Sequence, residues 1–274
     1  MIIRELVVIL PYVIANMEQL PPLSKTRQRW IAHLHSKRYR HRERCFLAEG
    51  IRTVAELAIS SYRTVLVVCT EQARKEHPEV VGQFLQQGVA CYTATPEEFK
   101  RLADTTSPQG ILAVVAFPDT DTKKTLSGSV VLLDGIADPG NAGTIVRTAY
   151  WFGYTGVILS DDSVERFNPK FVRATMGALF HIPVLEIPAS HALERYRDTH
   201  RIIGTCAEGG IPLAQYSTPS SPHLLVIGNE ARGLSQSVIP LVHDFVTIEG
   251  QGSFDSLNAA VAAGIVMYHL CRQR

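Results

Sequence analysis

The 274-residue sequence predicts an α/β protein, in which a C-terminal domain with a parallel sheet follows a small α/β domain. The length is sufficient for two modest domains. Short apolar segments alternate with helical segments along the chain, which indicates α/β organisation. In the second half the apolar runs contain no alternating polar residues, as expected of a parallel sheet that is buried on both faces.

The predicted elements follow one another in a regular order. In the first half we predict a basic helix over residues 23–44, strands at 45–48, 64–69, 90–93 and 111–117, and helices at 51–59, 79–87 and 96–103. In the second half we predict strands at 130–133, 156–159, 184–186, 201–205, 224–227 and 244–248, helices at 141–152, 169–179, 192–197 and 257–271, and a short turn near Leu234. The predicted divisions are an N-terminal extension at 1–22, a first domain at 23–117, a linker at 118–128 and a second domain at 129–274.

The first sixteen residues are apolar but are interrupted by Arg4, Glu5 and Pro11. Their longest apolar stretch is too short to span a bilayer, so no membrane anchor is expected. A signal peptide would need a cleavage site with small residues, and none stands out. We interpret Met17 as the natural start, with residues 1–16 belonging to an over-extended reading frame.

The five cysteines are widely spaced, and the sequence contains no C-x-x-C motif or Cys/His cluster. This pattern indicates neither a zinc site nor a disulfide framework, and no metal is expected. It is consistent with a reducing, cytoplasmic location.

Charge is concentrated near the start of the first domain. The net charge of +1 points to no particular partner, but residues 23–44 contain eight Lys or Arg against one acid, Glu43. Such a block is the electrostatic footprint of a polyanion, and Arg38, Arg40 and Arg42 lie within it. The alternative interpretation is a solvated helix face.

Residues 134–149, DGIADPGNAGTIVRTA, form the first polar motif after a predicted strand. We expect a turn in which Asn141 caps the following helix, and Gly143 permits close approach of another backbone. Arg147 is predicted on an inward side of the helix beside Thr144, where its guanidinium needs an anion. A bound phosphate and a salt bridge to Glu230 both satisfy that need, and both remain open.

Two further motifs follow. Gly228 and Glu230 come after a buried strand, at the sheet edge where open α/β folds bind ligands; the alternative is an ordinary turn capped by Glu230. Ser256, Leu257 and Asn258 precede the apolar run 259–268, so Ser256 or Asn258 is expected to cap a helix. On its own, this last segment favours a buried C-terminal helix with an ordinary cap, because caps are commoner than catalytic sites.

Taken together and in this order, the three segments resemble the motifs of the SpoU (TrmH-like) branch of the SPOUT RNA methyltransferases. Residues 166–184, RFNPKFVRATMGALFHIPV, are similar to a further segment of that family, with Thr175 in place of the usual Ser. The resemblance covers the second half closely. The first half, through its basic helix and FLAEGIRTVAEL at 46–57, resembles the RNA substrate-binding domain that often precedes a SpoU domain.

The resemblance implies an enzyme that methylates a ribose 2′-hydroxyl of RNA with S-adenosylmethionine. It also implies a deep C-terminal trefoil knot, one of the rare exceptions to unknotted folds. A homodimer through the knotted domains is expected, with residues 141–152 and 257–271 contributing. The separate basic domain favours ribosomal RNA as the substrate, and transfer RNA is the alternative within the class.

The resemblance also assigns site residues. Those implied in catalysis are Asn141, Arg147, Glu230, Ser256 and Asn258. Those implied in cofactor binding are Gly228, Ile248 and Leu257, with Cys206 and Ala207 in the turn at 206–209. Those expected to contact RNA phosphates are Arg38, Arg40, Arg42, Lys170 and Arg173. In the implied site, Arg147 positions a phosphate, Glu230 pairs with Arg147, and the remaining catalytic residues orient the hydroxyl.

Glu249 and Gly250 stand where many family members have Pro and Met, which leaves side-chain detail near the cofactor open. Two other classes of protein were weighed. A non-catalytic RNA-binding protein of the same fold is disfavoured because the polar motif residues are all present. A nicotinamide-dependent oxidoreductase is disfavoured because no G-x-G-x-x-G follows an early strand.

Overall fold

The computed structural model of the chain describes residues 20–119, 125–250 and 256–272. The chain folds into two compact units that divide between Pro118 and Asp119. The predictions for residues 1–16 and Met17 lie outside the described residues, as does the middle of the predicted linker at 120–124. The exact domain limits given above therefore stay predictions.

The first unit contains a mixed four-stranded sheet. Its elements are α1 (Lys25–His33), α2 (Lys37–Glu43), β1 (Cys45–Glu49), α3 (Ile51–Ala58), β2 (Thr64–Cys69), α4 (Glu71–Glu76), α5 (Pro78–Gln86), β3 (Ala90–Thr93), α6 (Pro96–Leu102) and β4 (Ile111–Ala116). The strand order is β1-β4-β2-β3, with β2 and β3 parallel and the other pairs antiparallel. The predicted strands are all present, whereas α4 was not predicted.

The predicted basic helix at 23–44 is wrong as a single helix, because α1 and α2 are separated at residues 34–36. Arg40 explains the break. Its side chain is buried and its Nη1 donates to the carbonyl oxygens of Leu34 and His35, at 3.0 and 2.8 Å. The side chain of one helix thus satisfies carbonyl groups left free where the preceding helix ends.

The second unit contains a seven-stranded, entirely parallel sheet in the order β7-β6-β5-β10-β8-β11-β9. Its elements are β5 (Val130–Asp134), α7 (Pro139–Trp151), β6 (Gly156–Leu159), α8 (Pro169–Ala174), β7 (Val184–Glu186), α9 (Ala189–Tyr196), β8 (Arg201–Thr205), β9 (Ile211–Pro212), β10 (His223–Gly228), β11 (Asp244–Thr247) and α10 (Ala259–Arg272). The predicted parallel sheet is confirmed, and β9 was not predicted. The trefoil knot stays a prediction.

The central strands of this sheet are fully buried, which explains their unbroken runs of Val, Leu and Ile. The strands β5, β6 and β10 supply a core that also contains Tyr196 and Phe171. Because all strands run the same way, the carboxyl ends of β5, β10, β8 and β11 meet at one edge. The polar motifs of the sequence follow three of these strand ends or begin the helices beside them.

Two absences apply to the described parts of the chain. No helix among residues 20–119, 125–250 and 256–272 has both the length and the apolar character needed to cross a membrane. Within the same residues, no group of His, Cys, Asp and Glu side chains is arranged to hold a metal ion.

Candidate functional site

Three side chains from the three motifs are joined by hydrogen bonds at the carboxyl edge of the second sheet. Asn258 Nδ2 donates to Asn141 Oδ1 at 3.0 Å. Asn141 Nδ2 in turn donates to a carboxylate oxygen of Glu230. Residues separated by more than a hundred positions therefore form one chain of contacts, which we call the amide–carboxylate network. Asn141 is half-buried, and the other two are exposed.

Asp138, and not Asn141, caps α7. Its Oδ1 accepts from the Asn141 backbone N–H at 2.8 Å, and Pro139 occupies the first helical turn. That hydrogen bond, with the nearby Lys170 at 3.1 Å, holds the pKa of Asp138 below its ordinary value. The prediction that Asn141 is the cap was wrong. Because the Asn141 side chain does not cap the helix, its amide is available to bind Glu230 and Asn258 in the network.

Asn229 shapes the turn that presents Glu230. Its Oδ1 accepts from the backbone N–H groups of Ala231 and Arg232 at 3.0 and 3.2 Å, and its Nδ2 donates to the Gly135 carbonyl at 2.8 Å. The alternative in which Glu230 caps this turn is therefore wrong. Because a neighbour does the capping, the Glu230 carboxylate projects to the network.

Glycine is required at position 228 because the following loop packs closely against its Cα. A Cβ at this position would lie 2.5 Å from the Gly233 carbonyl carbon, since the loop folds back against the end of β10. Gly143 was expected to permit close approach of another backbone, and this is confirmed. A Cβ there would meet Ala174 at 2.5 Å and the Phe171 carbonyl oxygen at 2.8 Å.

Asn258 is the cap of α10. Its Oδ1 accepts from the backbone N–H groups of Ala260 and Val261 at 3.0 and 3.2 Å, while its Nδ2 reaches Asn141. Ser256 and Leu257 precede it and are exposed. Of the two caps that the sequence allowed, Asn258 fills the role.

Arg147 lies on the exposed face of α7 together with Thr144, so its predicted inward orientation was wrong. Within the described residues its side chain forms no hydrogen bond or ion pair, and the Glu230 carboxylate is occupied by Asn141 instead. Six residues along an α-helix rotate by about 600°, which leaves Arg147 and Asn141 about 120° apart around the axis, so they point in different directions. The expected Arg147–Glu230 pair is not formed.

The exposed face around Arg147 is unusually apolar. Trp151 is 83% exposed and Tyr150 is 47% exposed on α7, and the neighbouring α10 exposes Val261, Ile265 and Tyr268. The two helices pack side by side, with Phe152 and Tyr268 ring centroids 6.1 Å apart. Adjacent apolar side chains on two helices are typical of a surface that another protein covers.

Cofactor-binding segments were predicted after β8, β10 and β11, which are neighbours in the sheet. Cys206 follows β8 and its backbone N–H donates to the Val246 carbonyl at 3.1 Å, which ties this turn to β11. Beside β11 lies a cleft of about 570 Å³, lined by Leu213, Ala214, Ile248, Glu249, Ile265, Tyr268 and His269. Among the predicted cofactor residues Ile248 lines this cleft, while Gly228, Leu257, Cys206 and Ala207 do not.

The predicted RNA contacts occupy different environments. Lys170 is exposed and pairs with Asp138, and Arg173 is half-buried. In the first unit, Arg38 and Arg42 are exposed. Arg40 is only 2% exposed, so the prediction that it contacts RNA is corrected: its role is to hold the junction between α1 and α2.

Two residues of the site were missed from the sequence, Asp138 and Asn229. A usable signal existed for the first, because Asp followed by Pro is a common start of a helix. Asn229 offered no comparable signal. Its two roles depend on the loop that returns to Gly233, which forms only in the folded chain.

Comparison with known proteins gives two family matches. Residues 128–268 match the SpoU rRNA Methylase family, and residues 26–113 match the MRM3-like substrate binding domain. The chain is 32% identical over 239 residues to the 23S rRNA (guanosine(2553)-2'-O)-methyltransferase RlmP of Bacillus subtilis, covering 86% of this chain and 92% of that protein.

Solved structures of methyltransferases also match the chain over most of its length. An AdoMet-bound rRNA methyltransferase from Sinorhizobium meliloti matches with a TM-score of 0.82 and 25% identity, covering 92% of this chain and 97% of that one. The SpoU methyltransferase AviRb from Streptomyces viridochromogenes, in complex with AdoMet, matches with a TM-score of 0.79 and 26% identity, covering 91% and 98%. The resemblance read from the three motifs is confirmed.

Proposed function

We propose, from the premise that this chain belongs to the SpoU rRNA methylase family, that it methylates a ribose 2′-hydroxyl of ribosomal RNA with S-adenosylmethionine. The amide–carboxylate network is the observation that carries the proposal. It brings residues of three sequence motifs together at the sheet edge where parallel α/β folds bind ligands. Two similar structures are named as binding AdoMet, and one relative as a 23S rRNA 2′-O-methyltransferase.

The residues at the carboxyl edge suit this cofactor. The cleft volume of about 570 Å³ lies within the range of small-molecule sites. Leu213 and Ile248 offer apolar surface to an adenine ring, and Glu249 offers a carboxylate to a cationic ligand. Gly228, Leu257 and the turn at 206–209 do not line this cleft, and we propose that their backbone groups extend the cofactor site along the carboxyl ends of β10 and β8.

When bound, S-adenosylmethionine supplies an activated methyl group on a sulfonium. The methyl group would pass from the sulfonium to the ribose oxygen, leaving a neutral thioether, and the hydroxyl proton would be released to solvent water. Asn141 and Asn258 each have a second amide N–H, and Glu230 a second carboxylate oxygen, beyond those used in the network. A hydroxyl that donates one hydrogen bond and accepts others fits these groups, which orient it for in-line attack.

We further propose that Arg147 and the apolar face of α7 and α10 meet a second copy of the chain. Trp151, Val261, Ile265 and Tyr268 supply the apolar surface, and Arg147 lies one turn from Trp151. Since Arg147 points away from its own Asn141, the dimer would direct it toward the site of the partner. An arginine guanidinium donates hydrogen bonds and has no acceptor atom, so Arg147 positions an RNA phosphate and does not serve as a base.

Arg147→Ala tests the assignment. We expect methyl transfer to unmodified ribosomal RNA to fall by about a thousandfold, because a positioning contact that stabilises the transition state is lost. Binding of S-adenosylmethionine, measured by calorimetry, should stay unchanged. If the wild-type protein methylates transfer RNA and not ribosomal RNA, the substrate belongs to the alternative class. Undiminished turnover by Arg147→Ala would refute the role of Arg147.

Mixed dimers test the partner contribution. Arg147→Ala and Asn258→Ala subunits should each be inactive alone. When mixed, one site per heterodimer would combine an intact Arg147 with an intact Asn258, and part of the activity should return. Failure to recover activity, although heterodimers are seen by native mass spectrometry, would show that Arg147 acts within its own subunit.

We assign the first unit to RNA binding, with Arg38 and Arg42 on its exposed basic surface. In the second unit we assign Lys170 and Arg173 to contacts with RNA phosphates. We place the protein in the cytoplasm, where ribosomal RNA is the abundant substrate. The domain limits of 23–117 and 129–274 are proposed on the same basis.

A further inference from the structure

The first unit carries a layered arrangement of flat side chains at the junction of α1 and α2. The rings of His33 and Tyr39 are stacked, with centroids 4.6 Å apart and an angle of 12° between their planes. The Arg42 guanidinium carbon lies 4.3 Å from the centroid of the same Tyr39 ring. We call these three residues the basic stack. His33 and Arg42 are exposed, so the stack has surface open to a further planar group.

Glu43 holds Arg42 in this arrangement. Its Oε1 accepts from Arg42 Nε at 2.8 Å and lies 2.8 Å from Arg42 Nη2, while its Oε2 accepts from Trp30 Nε1 at 3.1 Å. These bonds hold the pKa of Glu43 below its ordinary value. Because Glu43 offsets the charge of Arg42 and occupies part of its fork, the guanidinium presents its plane and not a free bidentate edge for phosphate.

Arg38 provides the contrast on the same helix. It is exposed, and within the described residues its side chain forms no hydrogen bond, ion pair or ring contact. A phosphate therefore meets an uncompensated charge at Arg38 but a paired one at Arg42. Arg38 and Arg42 lie in the same basic stretch of sequence, but they differ in the contact that they offer to a nucleic acid. Arg38 offers an unpaired charge, and Arg42 offers the plane of a paired guanidinium.

We propose that the basic stack is a docking site for an unpaired nucleobase, which extends the layers formed by His33, Tyr39 and Arg42. The inference rests on the proposed RNA substrate and adds the chemical class of the contact. Bases of single-stranded RNA stack on aromatic rings and guanidinium planes, and such stacking tolerates any base. Nearby Arg38 and Lys37 would then hold the adjoining phosphates.

The test uses the full chain and a short single-stranded oligoribonucleotide that carries 2-aminopurine, whose fluorescence falls when it stacks. The wild-type protein should quench the probe. His33→Ala should remove the quenching and weaken binding about tenfold, as expected for loss of one stacked base. His33→Phe, which keeps a flat ring, should retain both. A base-paired RNA of the same sequence should bind His33→Ala and wild type alike.

Matched arginine variants separate stacking from charge. Arg42→Lys keeps the charge but loses the plane, so it should weaken binding of the single strand severalfold. Arg38→Lys retains the charge that holds a phosphate and should keep the quenching, whereas Arg38→Gln should reduce the salt dependence by about one phosphate contact and also keep the quenching. Thermal unfolding midpoints confirm that each variant is folded.

Equal binding and quenching by wild type, His33→Ala and Arg42→Lys would overturn the docking site. If ribosomal RNA is methylated under those conditions, the proposed function stands and only the stacking inference fails. If methyl transfer is absent while the ring-dependent quenching is present, the nucleobase site stands and the proposed reaction fails.

Discussion

Polar side chains lie at both ends of the parallel strands of the seven-stranded sheet, which we call the amino edge and the carboxyl edge. Those around His223 at the amino edge are buried, whereas those of the amide–carboxylate network at the carboxyl edge are accessible to solvent. At the amino edge, His223 is 1% exposed, with Nε2 2.9 Å from the Tyr154 hydroxyl and Nδ1 3.3 Å from Ser129 Oγ. At the carboxyl edge, Asn141, Glu230 and Asn258 are linked but remain half-buried or exposed.

The difference separates polar groups that stabilise the fold from polar groups that are available to a substrate. A buried histidine whose two nitrogens both have partners stabilises the junction of β5, β6 and β10 and has no group left for a ligand. The carboxyl-edge network is ordered by Asp138 and Asn229 but keeps hydrogen-bonding capacity facing solvent. The predictions below test whether function depends on the carboxyl edge and stability on the amino edge.

Among the substitutions that compare the two edges below, the largest expected effect comes from Asn141→Ala, which removes both links of the network. We expect kcat for methyl transfer to fall about a hundredfold, comparable to loss of one oriented donor in an active site. The free energy of unfolding should change by less than about 1 kcal/mol because the side chain is only half-buried. Thr144→Ala, one turn further along the exposed face of α7, is the control and should keep normal turnover and S-adenosylmethionine affinity. A hundredfold loss in both variants would attribute the effect to the helix and not to the network.

His223→Phe tests the amino edge with little change in volume. The substitution removes one partner from the Tyr154 hydroxyl and one from Ser129, so the free energy of unfolding should fall by about 2–3 kcal/mol. Urea denaturation measures this change. Turnover per folded molecule should match wild type at temperatures where the variant is folded. A stable but inactive variant would contradict the division between the two edges.

Asp244→Asn should produce the smallest effect at the amino edge. Arg201 donates to both carboxylate oxygens of Asp244, at 2.6 and 2.5 Å, and the Tyr216 hydroxyl donates to Oδ2 at 2.8 Å. Arg201 is 46% exposed, so screening by solvent limits the loss to about 1 kcal/mol or less.

The same pair predicts a pH dependence. Arg201, followed by Tyr216, lowers the pKa of Asp244 in the folded protein. Its stabilising contribution is therefore complete above the ordinary aspartate pKa of about 4 and is lost as pH falls through the lowered value. Urea denaturation of wild type and Asp244→Asn at a series of pH values should show their difference shrinking in acid. A difference that grows in acid would contradict this assignment.

Much of the fold could be predicted because the strands are apolar throughout. Val130 to Asp134 and His223 to Gly228 read as buried strands without any knowledge of their partners, and uninterrupted burial implies parallel pairing. The resemblance to the SpoU motifs singled out Asn141, Glu230 and Asn258, and the structure joins their side chains by hydrogen bonds. Their order along the chain was enough to indicate the family.

The failures concern which side of a helix is covered. In α7 the buried residues Ala142, Ile145, Val146 and Ala149 form one stripe at helical spacing, whereas Trp151 is exposed although it is aromatic. That spacing places Arg147 on the opposite, exposed side, so the inward prediction was wrong although the pattern was available in the sequence. Arg40 lies in a run of basic residues but is buried, because its long side chain reaches carbonyl groups that α1 leaves free.

The sequence by itself determined the α/β class and the parallel pairing, which follow from local patterns of burial, and its resemblance to the SpoU motifs supplied Asn141, Glu230 and Asn258. Tertiary structure decided which of those residues touch. Glu230 meets Asn141 and not Arg147 because Asp138 and Asn229 complete their own turns and fix both backbones. Arg38, Arg40 and Arg42 acquire different roles because the packing of α2 buries one, pairs another with Glu43 and leaves the third in solvent.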